Sequence, residues 1–173
     1  MSRILALAVI GFLPAVSVEA EELLEYQVKA AFLLNFVKFV EWPPAAFETS
    51  ESPMAICVLG DDPFGSTLDR IVAEETVDGR RVAVHRIKSP PPPKSCQALF
   101  VPKSEKDVVK TLRETGPGVL TVGEKEGFLH DGGMIVFEIE NRRVRFSIHQ
   151  IAAENGGLKL SSRLLSVARS IQK

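Results

Sequence analysis

The segment from Ala55 to Ile87 constrains the fold of this chain most strongly. Ala55–Leu59 is apolar at every position, which is typical of a strand buried on both faces of a sheet. Ser66–Glu75 has the pattern of a helix with one apolar side, and Val82–Ile87 is a second strand candidate. A strand, a helix and a strand in this order form a βαβ unit, whose two strands run parallel. The segment therefore predicts an α/β domain.

A run of four prolines follows the second strand, in the sequence SPPPPK at Ser89–Lys94. Because proline cannot continue a helix, the usual crossover helix is excluded here. As extended polyproline the segment would reach about 19 Å, at roughly 3.1 Å per residue. That length is enough to return to the start of a third parallel strand at Ala98–Val101. An alternative remains open, in which the prolines are a ligand for an aromatic groove on another protein.

The chain after the third strand predicts a helix and strands of both directions. Val144–Ile148 alternates apolar and polar residues, so this strand has one face in solvent. It forms an antiparallel hairpin with the strand before it. The predicted elements are a helix at Lys106–Thr115, a strand at Val119–Val122, hairpin strands at Met134–Ile139 and Val144–Ile148, and a short helix near Ile151–Glu154.

A long helix is predicted at Glu22–Trp42, before the first strand. It contains good helix formers and ends where prolines follow Trp42. Between residues 30 and 40 it is apolar nearly all round, so it must be covered on several sides. Phe32, Phe36 and Phe39 repeat at helical spacing. Packing onto the sheet is the favoured explanation, and a stripe that binds a partner or a membrane surface is the alternative.

The last helix is predicted to begin at a serine cap, Ser161 or Ser162. Its apolar face consists of Leu160, Leu164, Val167, Ala168 and Ile171. The complete set of elements predicts a three-layer α/β sandwich. Its sheet is mostly parallel and Rossmann-like, with an antiparallel C-terminal hairpin and helices on both faces.

The first twenty residues have the features of an export signal. Arg3 supplies a positive charge, Ile4–Val18 is apolar, and Val18–Ala20 has the small-residue pattern of a cleavage site. We predict cleavage after Ala20, which leaves residues 21–173 as a single domain. The alternative is an uncleaved membrane anchor, although the apolar run is shorter than the roughly 20 residues that a span needs.

The chain contains two cysteines, Cys57 and Cys96, which can pair in one way within a monomer. Export favours this pairing, because disulfides persist in oxidising compartments. A closed loop of about 40 residues would stabilise the fold by roughly 4 kcal/mol in the chain-entropy model. The alternative is two separate buried thiols.

The loop GDDPFG, Gly60–Gly65, joins the first predicted strand to the predicted helix after it, the position that phosphate-binding loops occupy. It lacks the closely spaced glycines or the terminal lysine of phosphate-binding loops. Asp61 and Asp62 would also repel an anion. We expect Asp62 to cap the following helix, with Pro63 at its first position.

The sequence shows no pattern of catalytic or metal-binding residues. His85, His130 and His149 lie far apart, without a carboxylate or cysteine at metal-ligand spacing. No serine lies in a G-x-S-x-G motif, and neither cysteine has a local activating partner. The 21 basic and 22 acidic residues are mixed along the chain, which argues against a nucleic-acid partner. We therefore expect a binding or regulatory protein without catalytic residues, metal or cofactor.

Five segments of the chain share residues with a known family, in the family's order. They are EYQVKAAFLLNFVKFVEWP at Glu25–Pro43, ICVLGDDPFG at Ile56–Gly65, CQALFVPKS at Cys96–Ser104, LTVGEKEGFLHDGGMIVFEIENRRVRFSI at Leu120–Ile148, and GLKLSSRLLSVAR at Gly157–Arg169. From the first to the last they extend over residues 25–169, nearly the whole chain after the export signal. These segments resemble the YfiR-like family of periplasmic proteins.

The resemblance implies a periplasmic repressor. Members of that family bind the periplasmic domain of a membrane-anchored diguanylate cyclase and hold its cytoplasmic output domain inactive. An OmpA-like outer-membrane lipoprotein can sequester the repressor, which releases the cyclase and favours biofilm formation. Family members also tend to form homodimers and are sensitive to redox conditions through disulfides.

The resemblance also implies that Cys57 and Cys96 are the cysteine pair that the family widely shares. In a sheet of order 2-1-3 their two strands are neighbours, so the bond would join adjacent strands. Some members carry a second pair in the segment corresponding to Phe128–Val136, where this chain has no cysteine. A redox switch at that second pair is therefore not expected here, and Cys57–Cys96 is expected to be mainly structural.

Two kinds of binding surface follow from these hypotheses. For the repressor, we expect partner contacts at Lys159, Arg163 and Arg169, polar positions beside the apolar face of the last helix. The alternative is that these residues only make the helix soluble. The second hypothesis is a periplasmic small-ligand binding or sensor protein, which would use the crevice at the carboxyl ends of the parallel strands near Gly60–Gly65.

Overall fold

The structure of the protein is a computed structural model that describes residues 18–173. Most of the predicted export signal, residues 1–17, lies outside the described residues. Val18–Ala20 forms the start of the first helix. Cleavage after Ala20 therefore stays a prediction.

Five helices and ten strands are present in the described part of the chain. The helices are α1 (Val18–Lys38), α2 (Ser66–Val72), α3 (Val108–Glu114), α4 (Gln150–Asn155) and α5 (Ser162–Val167). The strands are β1 (Val40–Glu41), β2 (Met54–Leu59), β3 (Thr76–Val77), β4 (Arg80–Ile87), β5 (Ala98–Val101), β6 (Leu120–Gly123), β7 (Ile135–Glu140), β8 (Arg143–His149), β9 (Lys159–Leu160) and β10 (Ser170–Gln172). Pro44–Ala46 forms a 3₁₀ turn.

The main sheet has eight strands in the order β10-β8-β7-β6-β5-β2-β4-β3. Strands β2, β4, β5, β6 and β7 run parallel, β8 is antiparallel to β7, and β3 is antiparallel to β4. A separate antiparallel pair joins β1 to β9. The predicted α/β class, the parallel βαβ unit and the C-terminal hairpin are confirmed. The proline segment makes the crossover from β4 to β5 without a helix, as predicted.

The central strands β2, β5 and β6 are buried on both faces, as their apolar sequences predict, whereas β4, β8 and β10 have exposed residues. On one face Ile56, Phe100 and Leu120 pack with the inner side of α1, around Leu33 and Phe36. On the other face a smaller apolar cluster lies beneath α3. It contains Cys57, Leu59, Cys96, Leu99, Val101, Val108, Val119, Phe128, Leu129 and Val136. Helices on both faces give the predicted three layers.

The first helix ends earlier than predicted. α1 stops at Lys38, because Val40 and Glu41 leave the helix and pair with β9. Trp42 therefore lies outside the helix, and its indole Nε1 donates a hydrogen bond to the carbonyl oxygen of Val37 at 3.2 Å. The ladder with β9 overrides the local helix propensity of this segment.

The prediction that Asp62 caps the second helix is wrong. α2 begins at Ser66, and its N-cap is Gly65, whose φ of 52° is a left-handed conformation that glycine adopts readily. Pro63 therefore precedes the helix rather than occupying its first position. The carboxylate of Asp62 instead accepts a hydrogen bond from the amide of Phe64 at 2.8 Å, which closes a local turn.

The last helix is also shorter than predicted. Ser161 is its N-cap, accepting a hydrogen bond from the amide of Leu164, but the helix ends at Val167. Ala168 is extended, and Ile171 lies in strand β10, parallel to β8. The open edge of β8 offers hydrogen bonds that a one-turn extension of a short helix cannot match. Ala168 and Ile171 are therefore not part of a helical face.

Candidate functional site

A buried ionic cluster joins α1 to the carboxyl end of β6. The Lys29 ammonium lies 2.6 Å from a carboxylate oxygen of Glu124, and their side chains are 4% and 3% exposed. Lys29 also forms an ion pair with Glu25, one helical turn earlier, as their spacing predicts. The hydroxyl of Tyr26 donates to Glu124, with both oxygens at 3.2 Å.

The fold holds Glu124 in this position through its neighbours. Glu124 follows the last residue of β6 directly, and one of its oxygens accepts a hydrogen bond from the backbone amide of Lys103 at 2.9 Å. Burial, followed by the negative charge and hydrogen bonding of Glu124, raises the pKa of Tyr26. The sequence contained no signal for this cluster beyond the Glu25–Lys29 spacing, because Glu124 is distant in the chain.

A large groove opens beside this cluster, and we call it the carboxyl-edge groove. Its volume is about 830 Å³. Lys103 and Glu124, which follow β5 and β6, line one end, and Glu138 and Ser147 of the hairpin line the other. Ser147 is buried and donates a hydrogen bond to Glu138 at 2.6 Å. The lining is thus largely polar and carries charges of both signs.

Cys57 and Cys96 form a disulfide within the fold. Cys57 lies in β2, and Cys96 lies just before β5, the adjacent parallel strand; their Cα atoms are 6.1 Å apart. Each residue is 1% exposed. The described residues include no free cysteine. The bond is part of the apolar cluster under α3, a position that favours a structural role.

Gln97, next to the disulfide, is a buried polar residue that sequence reasoning missed. Its side-chain oxygen accepts a hydrogen bond from the amide of Ala55 at 2.8 Å, and its side-chain amide donates to the carbonyl of Ala46 at 2.7 Å. It therefore joins the start of β2 to the 3₁₀ turn. Its position directly after Cys96 is the only signal that the sequence offered.

Protein side chains fill the inner side of the loop Gly60–Gly65, and an open depression lies beside Pro63. The ring of Phe64 is buried and packs against Tyr26 and Phe100, with centroid distances of 5.6 and 4.7 Å. Arg86 binds this loop from β4, donating to Asp62 at 2.8 Å. A ligand site at residues 60–65 is thus occupied by the protein's own side chains.

The three predicted partner residues lie apart from one another. Lys159 forms an exposed ion pair with Glu41 at 2.9 Å. The guanidinium of Arg163 lies 5.5 Å from the ring centre of Phe39. These two residues are on β9 and α5, at the end of the molecule where α1 finishes.

Arg169 is the third of these residues and lies on the hairpin side, where it lines the carboxyl-edge groove. It forms ion pairs with Glu138 at 3.2 Å and Glu140 at 3.1 Å. Hydrogen bonding to Glu140 and the two negative charges raise the pKa of Arg169. Its charge is therefore already matched within the chain.

An apolar groove runs along the outer side of α1, and we call it the α1 groove. One wall is α1, with Leu24, Val28 and Phe32 at helical spacing, and Phe39 directly after its end. The other wall is the hairpin face and α5. The residues of that wall are Ile139, Val144, Phe146, Leu164 and Val167, with Arg142, Arg143 and Arg163 at the rim.

The aromatic triplet of the first helix is divided between the core and this groove. Phe36 is fully buried and packs on Phe137 and Phe146. Phe32 and Phe39 are only partly buried. The favoured packing explanation holds for Phe36 and also for Phe32, whose ring centre lies 5.3 Å from that of Phe146 on the sheet. The partial exposure of Phe32 and Phe39 leaves the alternative of a partner-binding stripe open.

Within residues 18–173 no group of three or more His, Cys, Asp or Glu residues could hold a metal ion. None of the helices in this range is long and apolar enough to pass through a lipid bilayer.

These features define a disulfide-bonded α/β domain with two surface grooves. A family model described as YfiR/HmsC-like matches residues 26–169, and the chain belongs to this family. The family consists of periplasmic regulators of diguanylate cyclases rather than enzymes. No curated protein matches the sequence in a direct comparison.

Proposed function

We propose that this protein is a periplasmic repressor of a membrane-anchored diguanylate cyclase. The observation that carries the proposal is the family match over residues 26–169. By binding the periplasmic domain of the cyclase, the repressor stabilises its inactive conformation. It shifts the equilibrium only by the difference between its affinities for the inactive and active states. Cyclic-di-GMP production and biofilm formation then fall.

The partner contacts proposed from the sequence are Lys159, Arg163 and Arg169. Arg163 has the strongest support, because it is exposed, lies at the rim of the α1 groove and has no carboxylate partner among the described residues. Lys159 and Arg169 would have to exchange internal ion pairs for a partner, which lowers their net contribution to binding. The resemblance further supports a homodimer and an OmpA-like outer-membrane lipoprotein that sequesters the repressor.

The test is the cellular level of cyclic-di-GMP in the source bacterium after deletion of the gene. We expect a rise on deletion, reversal by the wild-type gene, and failure of reversal by Cys57→Ser/Cys96→Ser if the disulfide is needed for function. Immunoblots of the periplasmic fraction control for export and expression. An unchanged level with the protein present in that fraction would contradict the proposal.

A small-ligand sensor is the second candidate function, and the carboxyl-edge groove supports it. At about 830 Å³ the groove is within the range of small-molecule sites. It would replace the expected crevice at residues 60–65, which Phe64 fills. A metabolite that raises the melting temperature of the wild type but not of Ser147→Leu would support it. A flat response across polar metabolites would count against it.

A further inference from the structure

We propose that the α1 groove binds one amphipathic helix that carries acidic residues along one side, and that this helix belongs to the periplasmic domain of the receptor. This inference rests on the proposed function and names the surface and the segment that it uses. It extends the expected contact at Arg163 to the first helix and the hairpin.

α1 is incompletely buried. Its residues 30–38 are apolar on nearly all sides and require cover on several sides, and apolar residues continue along the helix towards its start. Its inner side packs on the sheet, but Leu24 and Val28 on its outer side are 59% and 44% exposed. Facing them across the groove, Ile139 is 53% exposed, and Val167 near the far end is 60% exposed. Four large apolar side chains along one groove mark a binding surface rather than scattered exposure.

The groove has the length of a short helix. From Leu24 to Phe39, the residue after the end of α1, it extends over 15 residues, or about 22 Å at 1.5 Å per residue. Its two parts have volumes of about 530 and 210 Å³ and meet at Phe32, which lines both. An amphipathic helix of about four turns matches this length and would place apolar residues at i, i+4, i+7 and i+11 in the groove.

The walls of the groove offer no backbone hydrogen bonds to a bound segment. The walls of the groove are α1, α5 and the face of the β7–β8 hairpin, which is paired along its length from Ile135–Ile148 to Glu140–Arg143. Helix amides point along the helix axis and strand amides lie in the plane of the sheet, so neither points into the groove. A bound segment must therefore satisfy its own backbone groups, which a helix does and an isolated extended strand does not.

The rim of the groove has unmatched positive charge. The carboxylates at the rim have partners: Glu21 binds Arg142 at 2.9 Å, and Glu25 binds Lys29. Arg143 and Arg163 are exposed and have no ion-pair partner among the described residues. The unmatched charge of the groove is positive at both ends, which favours acidic residues on the occupant.

The same charges disfavour a second copy of this chain as the occupant. A two-fold axis across α1 would bring Arg143 of one copy towards Arg163 of the other. An axis parallel to α1 would bring each arginine towards itself. Both arrangements oppose like charges, which costs binding free energy.

The test compares two neighbouring leucines on the same helix. Leu24 faces the groove, whereas Leu23, 58% exposed, lines a different depression with Tyr26 and Pro63. The full exported protein is titrated calorimetrically with the purified periplasmic domain of the cyclase whose output rises on gene deletion. We expect Leu24→Glu to weaken binding at least about tenfold and Leu23→Glu to leave it within about twofold. Circular dichroism checks that both variants fold.

Two further measurements identify the occupant. The double variant Arg143→Glu/Arg163→Glu should weaken binding and reduce its dependence on salt. A photo-crosslinker at position 28 should attach to a helical receptor segment with apolar residues at helical spacing and acidic neighbours. Attachment to a loop or strand, or to a second copy of this chain, would overturn the inference.

The failure of this inference is distinguishable from failure of the proposed function. If both leucine variants bind the receptor domain equally, the groove is not the docking site, while repression stands. If Leu24→Glu only dissociates a dimer or only abolishes binding to phosphatidylglycerol vesicles, the occupant is a second copy or a membrane, and the inference is wrong. If deletion leaves cyclic-di-GMP unchanged, the proposed function falls, and this inference falls with it.

Discussion

Lys29 of α1 and Glu124, the residue that follows β6, form an ion pair of 2.6 Å that is almost fully enclosed. The pair fixes the first helix to the carboxyl end of the parallel sheet. Glu25, Tyr26 and the amide of Lys103 complete the hydrogen bonding around the two charges. Since a buried ion pair is costly when one partner is removed, this contact makes clear predictions for stability.

We predict that Glu124→Ala lowers the free energy of unfolding by about 3 kcal/mol. Removing one partner of a buried pair costs about 3–5 kcal/mol, and the remaining partner Glu25 places the loss at the lower end. Urea unfolding measures the change. The exposed pair Lys110–Glu114, 3.9 Å apart, provides the control, and Glu114→Ala should change stability by less than about 1 kcal/mol. Equal losses at both sites would contradict the role assigned to the buried pair.

The buried phenol predicts a loss of stability at high pH. The pKa of Tyr26 is raised in the folded state, so folding favours the protonated phenol. Its stabilising effect is complete below the ordinary tyrosine pKa of about 10 and decreases as the pH rises above that value. We expect the melting temperature of the wild type to fall more steeply above pH 10 than that of Tyr26→Phe.

The phenol can also be followed directly, because the chain contains a single tyrosine. Ultraviolet absorbance near the phenolate band, at about 295 nm, should show no ionisation at the pH where free tyrosine is half ionised, about 10. Ionisation should appear only at higher pH or together with unfolding. A titration midpoint near 10 in the folded protein would show that burial beside Glu124 does not raise the pKa of the Tyr26 hydroxyl.

We predict that Cys57→Ala/Cys96→Ala lowers the free energy of unfolding by about 4 kcal/mol, as expected for a closed loop of this length. Chemical reduction of the wild type should give a similar loss. The double variant is its own control, because a reducing agent should have no effect on it. A thiol reagent should detect no reactive sulfur in the native oxidised protein. An equal midpoint for oxidised and reduced wild type would show that the bond adds nothing to stability.

Phe128 provides a packing prediction. Its ring lies between Gly123, at the end of β6, and Gly133, and a Cβ atom at either glycine would overlap the ring. Gly123→Ala and Gly133→Ala should each destabilise the fold by about 1–3 kcal/mol, because this cluster cannot accept an extra methyl group without shifting. Gly116→Ala, which has open space at the same position, is the control. Thermal unfolding of the three variants measures these losses. A Gly133→Ala variant as stable as the wild type would contradict the tight packing around Phe128.

The parallel core was predictable from the sequence because its signals are local. Ala55–Leu59 is apolar throughout, and the prolines at Ser89–Lys94 exclude a helix in the crossover. The strands at residues 98–101 and 119–122 were placed within a residue of their observed positions. The Glu25–Lys29 ion pair has a local signal of the same kind, because residues four apart meet on one helical face.

The missed features depend on contacts between distant parts of the chain. Ile171 has helical spacing with Leu164 and Val167, yet the unpaired edge of β8 draws it into a strand. No local sequence pattern indicates that Glu124 is buried. Its ion pair with Lys29 forms only because the fold brings the end of β6 next to α1. Gln97 is polar in an apolar strand region, and only the folded chain provides its partners, Ala55 and Ala46.

The disulfide closes one segment of the chain into a covalent ring, and the rest of the chain lies outside this ring. The ring runs from Cys57 to Cys96 and contains α2, β3, β4 and the proline segment. The strands at one edge of the sheet, β4 and β3, therefore lie within a covalently closed loop. The hairpin strands β7 and β8, with β10 beyond them, lie outside that ring and are held only by non-covalent contacts. The hairpin wall of the α1 groove thus lies in the part of the sheet that the covalent ring does not constrain.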